Sequence, residues 1–154
     1  MARGRIGLTQ AMTIGGSATA SFVGVSVSGS VNTNVTGDTT LSLNATSTDW
    51  LTASDFTVGA SSITIAATGY YLVEWTVNPD CTVACRFTTG LSGTFGVGGY
   101  DEARVAIPDT AGYYIHCSSI IKVTAVNQTV SLYAAVSAGT GHVLVTSFSV
   151  SKIG

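Results

Sequence analysis

Two histidines and three cysteines carry the most reactive side chains of this chain. Neither His116 nor His142 has a second ligand at the spacing that a metal site requires. His116 and Cys117 are neighbours in a predicted strand, so their side chains point to opposite faces and cannot share one ion. The histidines are therefore interpreted as surface or interface residues.

The carboxylates are equally scattered. A calcium site built on Asp38, Asp49 or Asp55 would need several oxygen ligands from one loop, and no loop is acidic enough. Asp101 and Glu102 face opposite ways if they lie in a strand, so their spacing does not indicate a catalytic pair. The sequence also lacks a G-x-S-x-G nucleophile motif. We therefore expect no enzyme activity, no metal site and no cofactor.

The cysteines are odd in number, which fits poorly with a secreted disulfide framework. Cys81 and Cys85 flank a predicted turn and could pair if oxidised. Cys117 falls in the middle of a predicted strand, where a free thiol behaves as a small buried apolar side chain.

The composition points to association. Charged residues make up 9% of the chain, against about 25% in an ordinary globular domain, although the apolar share of 45% is normal. A surface so poor in charge is weakly protected against contact with other molecules. The net charge of −2 argues against a nucleic-acid partner, because binding phosphates requires clustered cations. Neither a membrane-spanning apolar run nor a secretory signal is evident, so we expect no membrane partner.

Alternating apolar and polar residues, with turn signals about every ten residues, predict strands throughout. In Gly69–Asn78, Tyr71, Val73, Trp75 and Val77 share the face suited to a core, and Asn78-Pro79-Asp80 is expected to end the strand as a turn. One helical turn is plausible at 49–55, where Asp49 could act as an N-cap. The other strands expected before residue 110 are Phe22–Val27 and Val31–Thr36, paired as a hairpin, with Leu41–Leu43, Phe56–Val58, Ser62–Ala66, Ala84–Thr89 and Glu102–Ile107; Gly90–Gly99 is expected to be a loop or a bulged strand.

The carboxy-terminal segment, residues 112–154, reads as three consecutive strands, and its last strand is expected in the middle of a sheet. In the first, Ile115, Cys117, Ile121 and Val123 share a face if an irregularity falls near Ser118. The second, Thr129–Val136, places Val130, Leu132, Ala134 and Val136 inside. In the third, Val143–Ile153, the expected shared face comprises Leu144, Thr146, Phe148 and Val150.

These strands predict an all-β fold: an antiparallel two-sheet β-sandwich, a jelly roll of about 8–10 strands. Residues 1–20 are expected to form an extended arm, and residues 21–154 the jelly-roll domain.

The sequence resembles the tumour necrosis factor and complement globular-head superfamily of jelly rolls. The resemblance covers roughly 62–154 and rests on Gly69-Tyr70-Tyr71, on the turn and Val-x-Leu strand of 127–132, and on Phe148 near the carboxy end. It implies a homotrimer packed through an aromatic and aliphatic sheet face. Small, charge-poor versions of this fold occur in bacteriophage virions, as capsid decoration proteins and as fibre or spike heads.

We therefore expect a structural virion protein, a homotrimeric capsid decoration protein that is assembled in the host cytoplasm and binds the major capsid protein or another virion protein. The outward residues expected in the trimer interface are Tyr70, Leu72, Glu74, Tyr114, His116, Ile120 and Tyr133. The arm residues expected to contact the capsid are Arg3, Arg5, Ile6 and Leu8. Glu74 would need a cation such as Lys122 or Arg104, from its own chain or a neighbour. The alternative is a fibre or spike head that binds a host receptor or glycan through Trp50 and Tyr100 in exposed loops.

Overall fold

The computed structural model describes residues 24–29, 32–43, 45–51, 54–95, 102–107 and 113–153. The arm and Tyr100 therefore lie outside the described residues. Within these ranges the chain forms strands and turns only. The strands are β1 (Gly24–Gly29), β2 (Thr33–Val35), β3 (Thr39–Thr40), β4 (Ala45–Leu51), β5 (Phe56–Val58), β6 (Ile63–Ile65), β7 (Gly69–Cys81), β8 (Cys85–Gly93), β9 (Glu102–Ile107), β10 (Ile115–Val123), β11 (Gln128–Val136) and β12 (Gly141–Lys152).

The strands form two antiparallel sheets. Sheet 1 has the order β10-β7-β12-β1-β4, and β2 also pairs with β12. Sheet 2 has the order β5-β6-β11-β8-β9, and β3 also pairs with β11. The expected all-β, two-sheet jelly-roll sandwich is confirmed. The strand segments exceed the expected 8–10 because β1 and β2 lie end to end along β12 and β3 has only two residues.

That end-to-end arrangement shows that the predicted hairpin of Phe22–Val27 with Val31–Thr36 is wrong. Val27 pairs with Phe148 and Thr33 pairs with Val143, so both segments run in one direction beside the same strand. β1 and β2 therefore run in the same direction, which excludes a hairpin between them.

The core lies between the sheets and follows the alternation in the sequence. The inward face predicted for β7 is confirmed, since Tyr71, Val73, Trp75 and Val77 are at most 1% exposed. Phe56 of sheet 2 meets Tyr71 of sheet 1 edge-to-face, with ring centroids 6.0 Å apart. The predicted inward face of β11 is also confirmed, and its members are Val130, Leu132, Ala134 and Val136.

β7 is longer than predicted. The turn expected at Asn78-Pro79-Asp80 is wrong, because the strand continues to Cys81 in register with β12. Pairing with β10 ends at Val77, so Pro79 has a ladder on one side only, the position at which a strand tolerates a residue without an N–H group.

The three carboxy-terminal strands divide between the sheets. β10 and β12 flank β7 in sheet 1, whereas β11 lies in sheet 2. The expectation that the last strand lies inside a sheet is confirmed, because β12 lies between β7 and β1. The irregularity expected near Ser118 is absent: β10 pairs with β7 without a break, and its odd-numbered residues all face inward.

The face predicted for β12 is wrong in its first half. Val143 and Val145 are buried, then the register shifts before Ser147, and Phe148 and Val150 are buried next. The extra residue at this bulge moves the alternation by one position, so Leu144 faces outward.

The helical turn expected at 49–55 does not begin at Asp49, because Asp49 lies in β4, which extends to Leu51 and pairs with β1. Residues 54–55 form a turn, and residues 52–53 lie outside the described ranges. Among the described residues, no helix has the length and apolar character that crossing a membrane would require.

Candidate interaction surface

The outward face of sheet 1 carries a group of exposed apolar side chains. Tyr70 is 48% exposed, Ile120 is 60% exposed and Ile153 is 52% exposed. Leu72 pairs with Ile120, and the backbone N–H of Ile153 donates to the Tyr70 carbonyl oxygen at 2.8 Å, so the four residues are close neighbours. We call Tyr70, Leu72, Ile120 and Ile153 the apolar cluster.

Strand pairing arranges this face in rows about 7 Å apart, because every second residue points outward. Starting from the amino end of β7, the rows across β10, β7 and β12 are Lys122–Tyr70–Ile153, Ile120–Leu72–Ser151, Ser118–Glu74–Ser149 and His116–Thr76–Ser147, followed by Asn78–Leu144. The apolar cluster occupies the first two rows, and the next two are polar.

Lys122 borders the apolar cluster. Its Nζ lies 5.7 Å from the centre of the Tyr70 ring, within the range of a cation–π contact. The contact covers part of one Tyr70 ring face while the ammonium group stays in solvent. A cation can therefore sit at the edge of this surface without breaking up its apolar centre.

The polar rows contain two of the residues expected in the interface, Glu74 and His116. The Nδ1 atom of His116 lies 3.0 Å from the hydroxyl oxygen of Thr76, which holds the imidazole against the sheet. The expected partners of Glu74 within its own chain are wrong. Lys122 is four residues along β10 from the register position of Glu74, about 13 Å away, and Arg104 lies on β9 of sheet 2.

Tyr114 lies at the far end of the face. It is 74% exposed and precedes β10, about 20 Å along the strand from Ile120. Its neighbours there are the rows of Thr76 and of Leu144, so the structure does not bring Tyr114 into the apolar cluster.

Tyr133 is on the opposite side of the molecule. It belongs to β11, where it pairs with Gly90 and Thr40 in sheet 2. The seven residues expected in one interface therefore occupy two different faces. Alternation predicts correctly that Tyr133 points outward, but it carries no information about which sheet the strand joins.

Tyr133 lines an open groove of about 310 Å³ together with Asp38, Thr39, Thr40 and Ser92. Gly90, its partner in β8, has no side chain to fill the space beside the ring. The rest of this outward face is rich in hydroxyl groups, and Thr57, Thr64 and Thr129 form one row across β5, β6 and β11.

Trp50 lies in β4, with its backbone in register with Ser26, and not in a loop. Tyr100 and the arm residues Arg3, Arg5, Ile6 and Leu8 lie outside the described residues, so their predicted roles stay predictions. Ile153 is the member of the apolar cluster that sequence reasoning missed. Ile153 joins the cluster because the chain continues past Lys152, the end of β12, beside Tyr70, and this position follows only from the pairing of β12 with β7.

The described residues offer little for catalysis or metal binding. They contain no group of three or more His, Cys, Asp or Glu side chains that could hold a metal ion. His142 donates from Nδ1 to the Asn34 side-chain oxygen at 2.8 Å, which links β12 to β2. Burial raises the pKa of Cys117, and burial together with the nearby Asp55 charge raises the pKa of Tyr71. These groups are thus held neutral, as structural side chains are.

Comparison with solved structures identifies proteins with the same fold. Murine APRIL at pH 5.0 is similar with a TM-score of 0.60 and 11% identity, over 86% of this chain and 100% of that one. The globular domain of zebrafish complement 1qA gives a TM-score of 0.65 at 10% identity, over 87% of this chain and 98% of that one. The PRD1 vertex protein P5 gives 0.54 at 17% identity, over 85% of this chain and 73% of that one.

At these identities the similarity establishes the jelly-roll fold that the sequence resemblance implied. No family model and no curated protein matches the sequence.

Proposed function

We propose that this chain is a structural protein of a virus particle, a homotrimeric decoration protein that stabilises the head of a bacteriophage. The observation that carries the proposal is the apolar cluster on the outward face of sheet 1. Tyr70, Ile120 and Ile153 are large apolar side chains that are about half exposed or more, and they lie beside Leu72. An exposed group of this kind favours burial against another copy of the chain.

The chemistry of the whole chain supports self-association. Because charged residues make up only 9% of the chain, few charged side chains on this face would lose their hydration when copies pack together. The cluster can bury its side chains against a symmetry-related copy. Full burial of an exposed side chain of this size is worth about 1.5–3 kcal/mol, so covering the half that is still exposed contributes about 1 kcal/mol each. Glu74 lies in the row next to the cluster and His116 one row further, and both would be brought near their counterparts in the other copies.

The similarity to the PRD1 vertex protein P5 supports a place in a virion, and the similarity to APRIL and complement 1qA supports the same sheet architecture without a catalytic role. In this proposal the arm of each subunit contacts the major capsid protein through Arg3, Arg5, Ile6 and Leu8. Three arms on one trimer bind far more tightly than one, because attachment of the first raises the effective concentration of the others.

Light scattering of the purified chain tests the trimer. The expected mass is three times the 15.6 kDa of one chain, at all concentrations above the dissociation constant. A monomer at micromolar concentrations would contradict the proposal.

Deletion of residues 1–16 tests the arm separately. We expect the shortened chain to remain trimeric but to lose binding to virus particles in a sedimentation assay. A shortened trimer that still saturates the particles would refute a role of the arm in attachment.

A second candidate function is favoured by the groove at Tyr133: the head domain of a fibre or spike that binds a host receptor or glycan. An aromatic ring beside hydroxyl groups and the Asp38 carboxylate is a suitable surface for a neutral sugar, and none of the described residues that line the groove is a cation. Tyr100 remains a residue proposed from the sequence for this function, whereas Trp50 lies in β4 of sheet 1 and not beside the groove.

Titration of the trimer with methyl glycosides, followed by NMR, tests the second candidate. Saturable chemical-shift changes in the signals of Asp38–Thr40 and Ser92 that disappear in Tyr133→Ala would favour the fibre head. The matched control is Thr57→Ala, on the same face outside the groove. Shifts that survive Tyr133→Ala, or no shifts at all, would reject the groove as a glycan site.

A further inference from the structure

Two thiols meet where the chain crosses from one sheet to the other. Cys81 is the last residue of β7 in sheet 1, and Cys85 is the first residue of β8 in sheet 2. Both are buried, and the Cys85 thiol donates to the Cys81 sulfur at 2.8 Å. The bends at 82–84 therefore form an arch whose two ends are in sulfur–sulfur contact.

Backbone pairing holds each thiol in position. Cys81 pairs with Gly141 in β12, and Cys85 pairs with Ile107 in β9. The arch is anchored to the neighbouring turn, since Thr82 donates its N–H to the Thr140 carbonyl oxygen at 2.9 Å and accepts the Thr140 N–H on its hydroxyl at 3.0 Å. The contact between the sulfurs is therefore built into the framework of the sandwich.

The two turns also pack closely. Gly139 has φ of +68°, and a Cβ atom added there would lie 2.6 Å from Val83 Cγ2. The left-handed backbone and the close approach of Val83 both favour glycine at this position.

The third cysteine is remote from this pair. Cys117 pairs with Trp75, six residues along β7 from Cys81, which is about 20 Å. A disulfide requires Cα atoms within about 7 Å, so Cys117 cannot bridge to Cys81 without rearrangement of the sheet.

We propose that Cys81 and Cys85 are a reversible redox site that forms an intrachain disulfide and ties sheet 1 to sheet 2 across the arch. The oxidant is a small-molecule disulfide such as oxidised glutathione. The Cys85 thiolate attacks it, forms a mixed disulfide and releases one glutathione thiolate. The Cys81 thiolate then attacks the Cys85 sulfur and releases the second. The two protein thiols lose two protons and two electrons, and the oxidant becomes two glutathione thiols.

The surroundings make this site slow to react in the folded protein. Burial, with contributions from Cys85 and Asp80, raises the pKa of Cys81 to about 12, so little thiolate is present at neutral pH. Cys85 is 8% exposed against 1% for Cys81, which makes Cys85 the sulfur that the oxidant reaches first. We expect oxidation over hours at neutral pH, with the rate increasing as pH rises.

The experiment equilibrates the full-length chain in glutathione buffers from fully reducing to fully oxidising, then alkylates it in denaturant and measures its intact mass. We expect three alkylated cysteines under reducing conditions and one under oxidising conditions, with peptide mapping placing the remaining alkyl group on Cys117. Thermal unfolding should give a Tm about 5 °C higher for the oxidised form.

Cys117→Ser is the matched control and should behave as the wild type does. Cys85→Ser should lose both the mass change and the Tm difference. If three thiols stay free under oxidising conditions, or if the disulfide contains Cys117 or joins two chains, the proposal is overturned. Peptide mapping of the wild-type chain identifies the disulfide, so the proposal can be tested even if Cys85→Ser fails to fold.

Discussion

The two outward faces of the sandwich are built by the same alternation, but among the described residues only sheet 1 carries an apolar cluster at one end. The outward face of sheet 1 carries the apolar cluster, whereas that of sheet 2 carries rows of hydroxyl groups and the groove at Tyr133. Exposed hydroxyl groups form hydrogen bonds with water and are stable in solvent. Burying exposed Tyr, Leu and Ile side chains, by contrast, lowers the free energy. This difference is the basis for proposing that sheet 1 is the face that associates and that sheet 2 stays in contact with solvent or a ligand.

A substitution in the core between the two faces should have the largest effect on stability. Trp75→Ala is expected to reduce the free energy of unfolding by about 3–5 kcal/mol, because it leaves a large cavity behind β7. The Trp75 indole Nε1 is buried without a hydrogen-bond partner, so Trp75→Phe loses no hydrogen bond and should cost less than Trp75→Ala, because it leaves a smaller cavity. Urea unfolding of the two variants checks the order. Equal losses would mean that the indole N–H makes a contribution that the structure does not account for.

A charge in the apolar cluster should break the association and leave the fold intact. Ile120→Lys is expected to weaken self-association about 100-fold or more, since each subunit would then bury an unpaired ammonium group. The matched control is Thr64→Lys, which adds the same charge to the outward face of sheet 2. Sedimentation equilibrium of both variants separates the faces. If Thr64→Lys dissociates the protein and Ile120→Lys does not, the assignment of the two faces is reversed.

Alkaline pH should weaken the interior between the two faces. The pKa of Cys81 is raised to about 12 in the folded state, above its ordinary value near 9, so the folded chain holds a proton that the unfolded chain releases. Its contribution to stability is complete below pH 9 and is lost as pH rises towards 12, by at most about 1.4 kcal/mol per pH unit. Urea unfolding in a reducing agent should show this decline, and Cys81→Ala should flatten it. A stability that is constant from pH 8 to pH 11 would contradict the raised pKa.

The hydroxyl row on sheet 2 should have the smallest effect. Thr57→Val, at an exposed edge position, is expected to change the free energy of unfolding by under about 0.5 kcal/mol and to leave the oligomer unchanged. Leu72→Thr, the converse change on sheet 1, should weaken association measurably. Size-exclusion chromatography with light scattering compares the two. An effect of Thr57→Val on oligomer size would show that sheet 2 also takes part in packing.

Much of the fold could be predicted because the direction of a side chain in a strand is a local property. Alternation assigned the inward faces of β7 and β11 correctly, including Trp75 and Leu132. It failed in β12, because the bulge at Thr146 that shifts the phase forms only against β7. It failed again at Pro79, where the turn preference of the residue is overridden by continued pairing with β12.

The candidate surface was less predictable than the core. The sequence alone determined that Tyr70, Leu72, Ile120 and Tyr133 point outward on a chain with too few charges to keep such residues in water. Only the tertiary structure decided that Tyr133 lies on sheet 2 and that Ile153 completes the apolar cluster on sheet 1. The physical reason is that sheet membership depends on hydrogen bonds between segments far apart in the chain, whereas outward direction depends on the backbone of each residue alone.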